Sequence, residues 1–289
     1  MFNKAEDMLK LCTKKNKRIS EIVIEKEIIM NKISRDDLLD KMKNVLHIMK
    51  ESSNAALDKE IISVSGLTGG DAKKLEEYRK SSNPLSGDII VSAMARALST
   101  SEVNASMGKI VAAPTAGSSG IIPSALLTVK DKLNLSDEQV IMGLFTAAGI
   151  GEIIAKNATV SGAEGGCQAE CGSAAAMAAG AIVEMAGGSP EASFHAASFA
   201  LVNILGLVCD PIGGLVEYPC ALRNAYGVIN ALISADLALA GVKSLVPFDE
   251  VVEAMYKVGK MMPEPLRETA LGGLAATPTG ENIKRRLSH

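Results

Sequence analysis

The stretch SGAEGGCQAECGSAAAMAAGAIVEM, residues 161–185, opens with glycines around two cysteines and runs into a segment built largely from alanine. Alanine has the strongest intrinsic helix propensity and no side-chain rotamer entropy to lose. The stretch therefore predicts a helix over 168–185 whose small side chains leave room for close neighbours. A second cysteine-bearing stretch, CDPIGGLVEYPC at 209–220, follows one more apolar helix. Four of the five cysteines fall between 161 and 220, which makes this region the centre of the chain.

Three of those cysteines sit beside turn formers. Cys167 follows Gly165 and Gly166, Cys209 precedes Asp210-Pro211, and Cys220 follows Pro219. Glycine and proline set turns that aim a side chain where a regular helix would not. The expectation is that Cys167, Cys209 and Cys220 converge on one iron–sulfur cluster. No C-x-x-C occurs, which disfavours zinc ribbons, thioredoxin-type sites and the usual ferredoxin runs. On spacing alone, buried core thiols fit as well as cluster ligands. Cys171, four residues after Cys167, reads as core packing or as a fourth ligand, and Cys12 as an ordinary thiol.

The rest of the composition narrows the class. The 289 residues suffice for one large domain or two small ones, read here as an N-terminal helical segment over 1–60 and a catalytic domain over 61–289. Net charge is −3, so no pull toward nucleic acid or an anionic membrane is expected. Aromatic residues make up 3% against 47% hydrophobic, so packing relies on small and aliphatic side chains in close helices. The start, MFNKAEDMLK, lacks the apolar core of a signal peptide. The apolar run over 194–208 contains His195 and Asn203 and falls short of the roughly 20 residues that span a bilayer. A cytoplasmic protein is expected, with its cysteines as thiols or ligands.

Along the chain, two short helices precede residue 31. Ser34 with Asp37, Ser136 with Gln139, and Ser189 before Pro190 mark three helix starts. Further helices are read over 71–80, 88–102, 121–133, 136–156, 189–207, 221–241 and 249–262. No alternating strand pattern occurs, so the expected fold is all-α: a multi-helix catalytic domain of about ten helices with glycine-rich loops around a cluster site. Lys284-Arg285-Arg286 reads as a solvated tail, and the segment after Pro265 as a loop whose start is apolar enough to dock.

Two glycine-rich turns open helices: SGLTGGD at 65–71 and TAGSSG at 115–120. Free N–H groups at a helix start suit an anion, although such turns also serve as plain connectors. Neither matches a phosphate-binding loop or a dinucleotide fingerprint. Lys109 and Lys156 flank small polar loops and read either as carboxylate holders or as surface residues. The three histidines, His47, His195 and His289, cannot build a multi-histidine metal site. His195 reads as a general base or as a hydrogen-bonded helix histidine. Three thiolates on a cluster would leave one iron open, a Lewis acid able to ease loss of a hydroxyl.

Four segments together carry a resemblance: SGLTGGDA (65–72), APTAGSSGIIP (113–123), SGAEGGCQAECGSA (161–174), and CDPIGGLVEYPC followed by RNA (209–225). They resemble the α chain of iron–sulfur-dependent L-serine dehydratase (L-serine deaminase) of the two-chain bacterial type, from about residue 60 to GGLAATPTG. The resemblance implies an all-helical lyase that turns L-serine into pyruvate and ammonia. It implies a [4Fe-4S] cluster held by Cys167, Cys209 and Cys220, with no ligand role for Cys171. It implies a serine pocket lined by the two glycine-rich turns, with Ser65, Thr68, Gly69, Gly70, Thr115, Gly117, Ser118 and Ser119; Lys109, read from its place beside a small polar loop, joins them as a candidate substrate-binding residue. It supplies no residue for the catalytic base, which the partner could bring. The expected partners are L-serine, a separate β chain and further copies in an oligomer, with no nucleic acid and no membrane. The C-terminal cysteine that caps the open iron in single-chain relatives has no counterpart in Leu287-Ser288-His289. Rival readings are a cysteine desulfidase-type lyase on the same scaffold, a non-enzymatic iron–sulfur redox or oxygen sensor, and a metal-free helical subunit.

Overall fold

The computed structural model describes residues 1–287, so His289 and Ser288 of the tail lie outside the described residues. The helices are α1 (Ala5–Lys15), α2 (Ile19–Asn31), α3 (Arg35–Asn54), α4 (Asp71–Ser81), α5 (Asp88–Ala105), α6 (Ile121–Leu133) and α7 (Asp137–Asn157). After the short α8 (Gly162–Gly165) and a π-helical turn (Gln168–Gly172) come α9 (Ser173–Met185), α10 (Pro190–Val202), α11 (Cys220–Leu239), α12 (Phe248–Met261) and α13 (Pro278–Leu287). Among the described residues there are thirteen α-helices and no strand, so the expected all-α class holds. Two isolated bridges, Ile62 with Gly69 and Cys209 with Arg267, are the whole of the β pairing among them.

The alanine-rich helix α9 is the axis of the bundle. Every one of its residues is buried, and α6, α7, α10 and α11 pack around it. Small side chains permit this enclosure. At Gly180 the neighbouring helix comes so close that Ile150 fills the space a Cβ would need. The N-terminal helices share the same core, with Phe2, Met8 and Ile19 packed in one cluster with Ile150, Ile153 and Ile154. Helix α7 is long and apolar enough to cross a membrane by length and composition, and 67% of that window is buried inside the fold.

Local signals placed the caps. Ser34 accepts from the Asp37 N–H at 3.0 Å, Ser136 and Gln139 cap reciprocally, and Ser189 accepts from the Ala192 N–H at 3.2 Å.

Three boundaries differ from expectation. The helix expected over 168–185 begins as a π-helical turn. Helix α10 stops at Val202, and residues 203–208 form turns that lead to Cys209. The basic run near the C-terminus is the last turn of α13, where cations favour the helix dipole. At the first two, tertiary contacts override the local pattern: Gln168 is held by Met255 and by the 206–207 turn.

Candidate functional site

Cys167, Cys209 and Cys220 are all free and buried, and they arrive from three different devices. Cys167 precedes the π-helical turn, Cys209 follows the turns after α10, and Cys220 is the first residue of α11. Burial is the main reason the Cys209 thiol is pushed far above the ordinary thiol value, followed by the charges of Cys167 and Glu170. Burial likewise pushes Cys220 up to about 12, with Cys167 next. The three sulfurs are therefore within one another's electrostatic reach. Cys167 itself is lowered, first by its hydrogen bond with Cys171, against the opposing effect of burial, and then by Arg223.

Arg223, one turn into α11, is the cation of the site. It donates to Val208 O and to Asp210 Oδ1, both at 2.8 Å. Burial lowers its pKa, yet the charges of Cys167 and Asp210 hold it above its ordinary value. Asp210 also accepts from the Leu274 N–H at 2.7 Å, which clamps the tail against the cysteine loop. The tail docks further by backbone. Cys209 N–H donates to Leu266 O at 2.8 Å, and Glu268 N–H donates to Cys209 O at 2.7 Å.

Two carboxylates face the thiols. One donor atom each of Glu170, Cys209 and Glu268 lies within 4.8 Å of the other two, a group able to hold a metal ion. Glu170 Oε2 is 3.9 Å from Cys209 Sγ. Burial raises the Glu170 pKa, opposed by the Thr115 hydroxyl, and the charge of Glu268 raises it further. Gly162 makes room for this carboxylate: a Cβ there would stand 2.5 Å from Glu170 Oε2 and 3.0 Å from Glu268 Oε2. Glu268 adopts φ +63°, a conformation uncommon for a side-chain-bearing residue and often kept at functional sites.

The two glycine-rich turns meet this group differently. In the 115–120 turn, Thr115 and Ser118 hydroxyls lie 3.0 Å apart, Ser119 donates to Ala116 O, and a Cβ on Gly117 would lie 3.4 Å from Glu170 Oε1. Asn224 fastens that turn to the thiol region, accepting from Gly120 N–H and donating to Gly117 O and Cys220 O. In the 65–71 turn, Ser65 and Thr68 each donate to Glu217 Oε2 at 2.9 Å. The helix start behind it already holds an anion of the chain's own: buried Glu102 accepts from the Asp71 and Ala72 N–H groups at 2.7 and 3.0 Å. Gly69 (φ +138°) and Gly70 (φ +78°) carry the turn into that helix.

Other candidates lie apart. Lys109 is exposed on the loop after α5. Lys156 pairs with Glu152 and donates to Phe2 O. His47 is exposed on α3, 3.3 Å from Glu51. His195 Nδ1 accepts from Ser244 N–H at 3.2 Å, and burial lowers its pKa. Cys12 is on the buried face of α1 and pushed up to about 12, mainly by burial. A cavity of about 520 Å³ lies elsewhere, between residues such as Ile89, Leu133, Ile182 and Leu239.

Glu170, Glu268, Glu217, Asp210 and Arg223 were not among the candidates from sequence. Glu170, three residues after Cys167, and Arg223, three after Cys220, share motifs with cysteines, which is a usable signal. Glu268 sits in a segment with no such marker.

The model of the family described as serine dehydratase alpha chain matches residues 14–275. The chain is 53% identical to the L-serine dehydratase alpha chain of Peptoniphilus asaccharolyticus, over 99% of this chain and 98% of that one. It is 50% identical to the probable L-serine dehydratase alpha chain of Bacillus subtilis (strain 168), over 99% and 95%. It is 41% identical to the L-serine dehydratase of Helicobacter pylori (strain ATCC 700392 / 26695), over 96% of this chain but 62% of that longer one.

Proposed function

Because the chain belongs to the serine dehydratase alpha chain family, we propose that it is the catalytic chain of a two-chain, cytoplasmic L-serine dehydratase. It converts L-serine to pyruvate and ammonia with a separate β chain as partner. The observation that carries this reading is the meeting of three buried free thiols with one guanidinium and two carboxylates.

That donor set fits an iron–sulfur cluster. Thiolates are its usual ligands, and Arg223 offsets part of the negative charge that three of them bring. Cys167, Cys209 and Cys220 would hold a [4Fe-4S] cluster. When bound, it supplies an open iron as Lewis acid toward the substrate hydroxyl.

The chain's own residues do the rest. Thr115, Gly117, Ser118 and Ser119 bind the substrate beside Glu170, and their turn is held in register by Asn224. Ser65, Thr68, Gly69 and Gly70 form the facing wall, fixed through Glu217. Glu170 takes the α-proton on its carboxylate, which the Thr115 hydroxyl orients. Loss of that proton and of the β-hydroxyl leaves 2-aminoacrylate, which tautomerises to the imine and hydrolyses to pyruvate and ammonia.

The test is anaerobic purification with and without the β chain, followed by iron and sulfide analysis and a serine-to-pyruvate assay. The expected result is bound iron and sulfide, with pyruvate formed by the pair of chains. Colourless, iron-free protein, or sulfide released from cysteine in place of pyruvate from serine, would sink the reading.

A further inference from the structure

Cys171 has no part in the ligand set, yet it is among the most enclosed side chains of the site, 1% exposed. Its sulfur lies 3.3 Å from Cys167 Sγ, and the two are hydrogen-bonded. Among the described residues no other sulfur–sulfur hydrogen bond is formed. The pairing follows from the backbone: Cys167 stands at the entry of the π-helical turn and Cys171 within it, four positions on and on the same face. π-Helical turns carry wider, weaker ladders than α-helices and cluster at functional sites.

We propose that Cys171 is the resolving thiol of Cys167: when the cluster is absent and a peroxide reaches the site, the two close a reversible disulfide. The Cys167 sulfur attacks one oxygen of hydrogen peroxide, the O–O bond breaks, and Cys167 becomes a sulfenic acid while the departing hydroxide leaves as water. The Cys171 sulfur then attacks the Cys167 sulfur. An S–S bond forms, and the hydroxyl leaves with the remaining thiol proton as a second water. In sum, two thiols and one hydrogen peroxide give one disulfide and two waters. The disulfide removes Cys167 from cluster binding but keeps it from advancing to the sulfinic acid, which thiol reductants do not reverse. Glu170, between the two cysteines in sequence, faces Cys209.

The proposal rests on the reading above only in taking Cys167 for a cluster ligand. The chemistry of the pair is independent of iron. The experiment treats the full chain, with its β chain, with hydrogen peroxide both as anaerobically purified and after removal of iron by chelation. Free thiols are then blocked and the peptides mapped by mass spectrometry. A Cys167–Cys171 disulfide is expected in the iron-depleted sample and not where iron is retained, and reductant with iron and sulfide should restore the original iron content. In Cys171→Ala, and in Cys171→Ser should the first fold poorly, Cys167 should gain two oxygens and most of the reloading should be lost. A disulfide from Cys167 to Cys209 or Cys220, no disulfide at all, or full reloading of both variants would overturn the proposal. Iron-free protein before any treatment would count against the cluster and leave the disulfide map as a separate result.

Discussion

Ser65 and Glu217 are 152 positions apart in sequence, and the Ser65 hydroxyl donates to Glu217 Oε2 at 2.9 Å. The same oxygen accepts from Thr68. Glu217 lies in the loop between Cys209 and Cys220, so the glycine-rich turn at 65–70 and the thiol loop are joined at one buried carboxylate. Glu217→Ala should leave two hydroxyls without their acceptor and loosen the turn at a cost of about 1–3 kcal/mol. The expected kinetic signature is a KM for serine that rises more than kcat falls. Glu217→Gln, which keeps an acceptor oxygen, should recover most of the loss. Equal kinetics for Ala and wild type would show that the tie has no bearing on substrate.

Arg223 and Asp210 form a largely buried pair, 14% and 4% exposed. Removing one partner of such a pair strands the other charge and typically costs about 3–5 kcal/mol. Arg223→Met should therefore lower the thermal midpoint and reduce the iron retained after anaerobic purification. Arg223→Lys should recover the charge but not the forked contact to both Val208 O and Asp210.

Glu170→Gln keeps the shape of the side chain and removes its capacity to accept a proton. General-base contributions run to about 10²–10⁴ in rate, so kcat should fall by that order. Iron content should stay unchanged, as should the spectral response of the bound iron to added serine. A variant that loses iron along with activity would instead mark Glu170 as part of the metal-binding group with Cys209 and Glu268.

Glu184 is buried near the end of α9, with Ser20 N–H 3.4 Å from Oε2 and no partner for Oε1. Burial raises its pKa above the ordinary 4.5. The folded state then holds this proton more tightly than the unfolded chain does. Its contribution is present below pH 4.5 and is lost as pH rises through the elevated folded-state value. Glu184→Gln should flatten that fall, so its advantage over wild type grows from pH 5 upward and then levels off. Urea midpoints from pH 5 to 8 would check this; a constant difference between the two proteins would exclude the titration.

The helix pattern was legible because it is local. Periodicity located the main helices, and Ser34, Ser136 and Ser189 marked three starts correctly, since a cap is a contact within three residues. The 65–71 turn shows where local reading stops. Its geometry suits an anion, but the anion at that helix start is Glu102, thirty-odd residues away. Nothing in the turn itself announces that occupant.

By itself the sequence determined an all-α fold around an alanine-rich axis, because propensity and small side-chain volume act within a few residues and allow close helices. It also singled out the two cysteine stretches, whose glycines and prolines set unusual turns. Only the tertiary structure decided what stands beside the thiols. Arg223, Glu170 and Glu268 reach them from α11, the π-helical turn and the docked tail, and Glu217 and Asn224 bind the glycine-rich turns to the same region. These relationships depend on burial and charge shared between segments far apart in the chain, and such quantities exist only after the helices have packed.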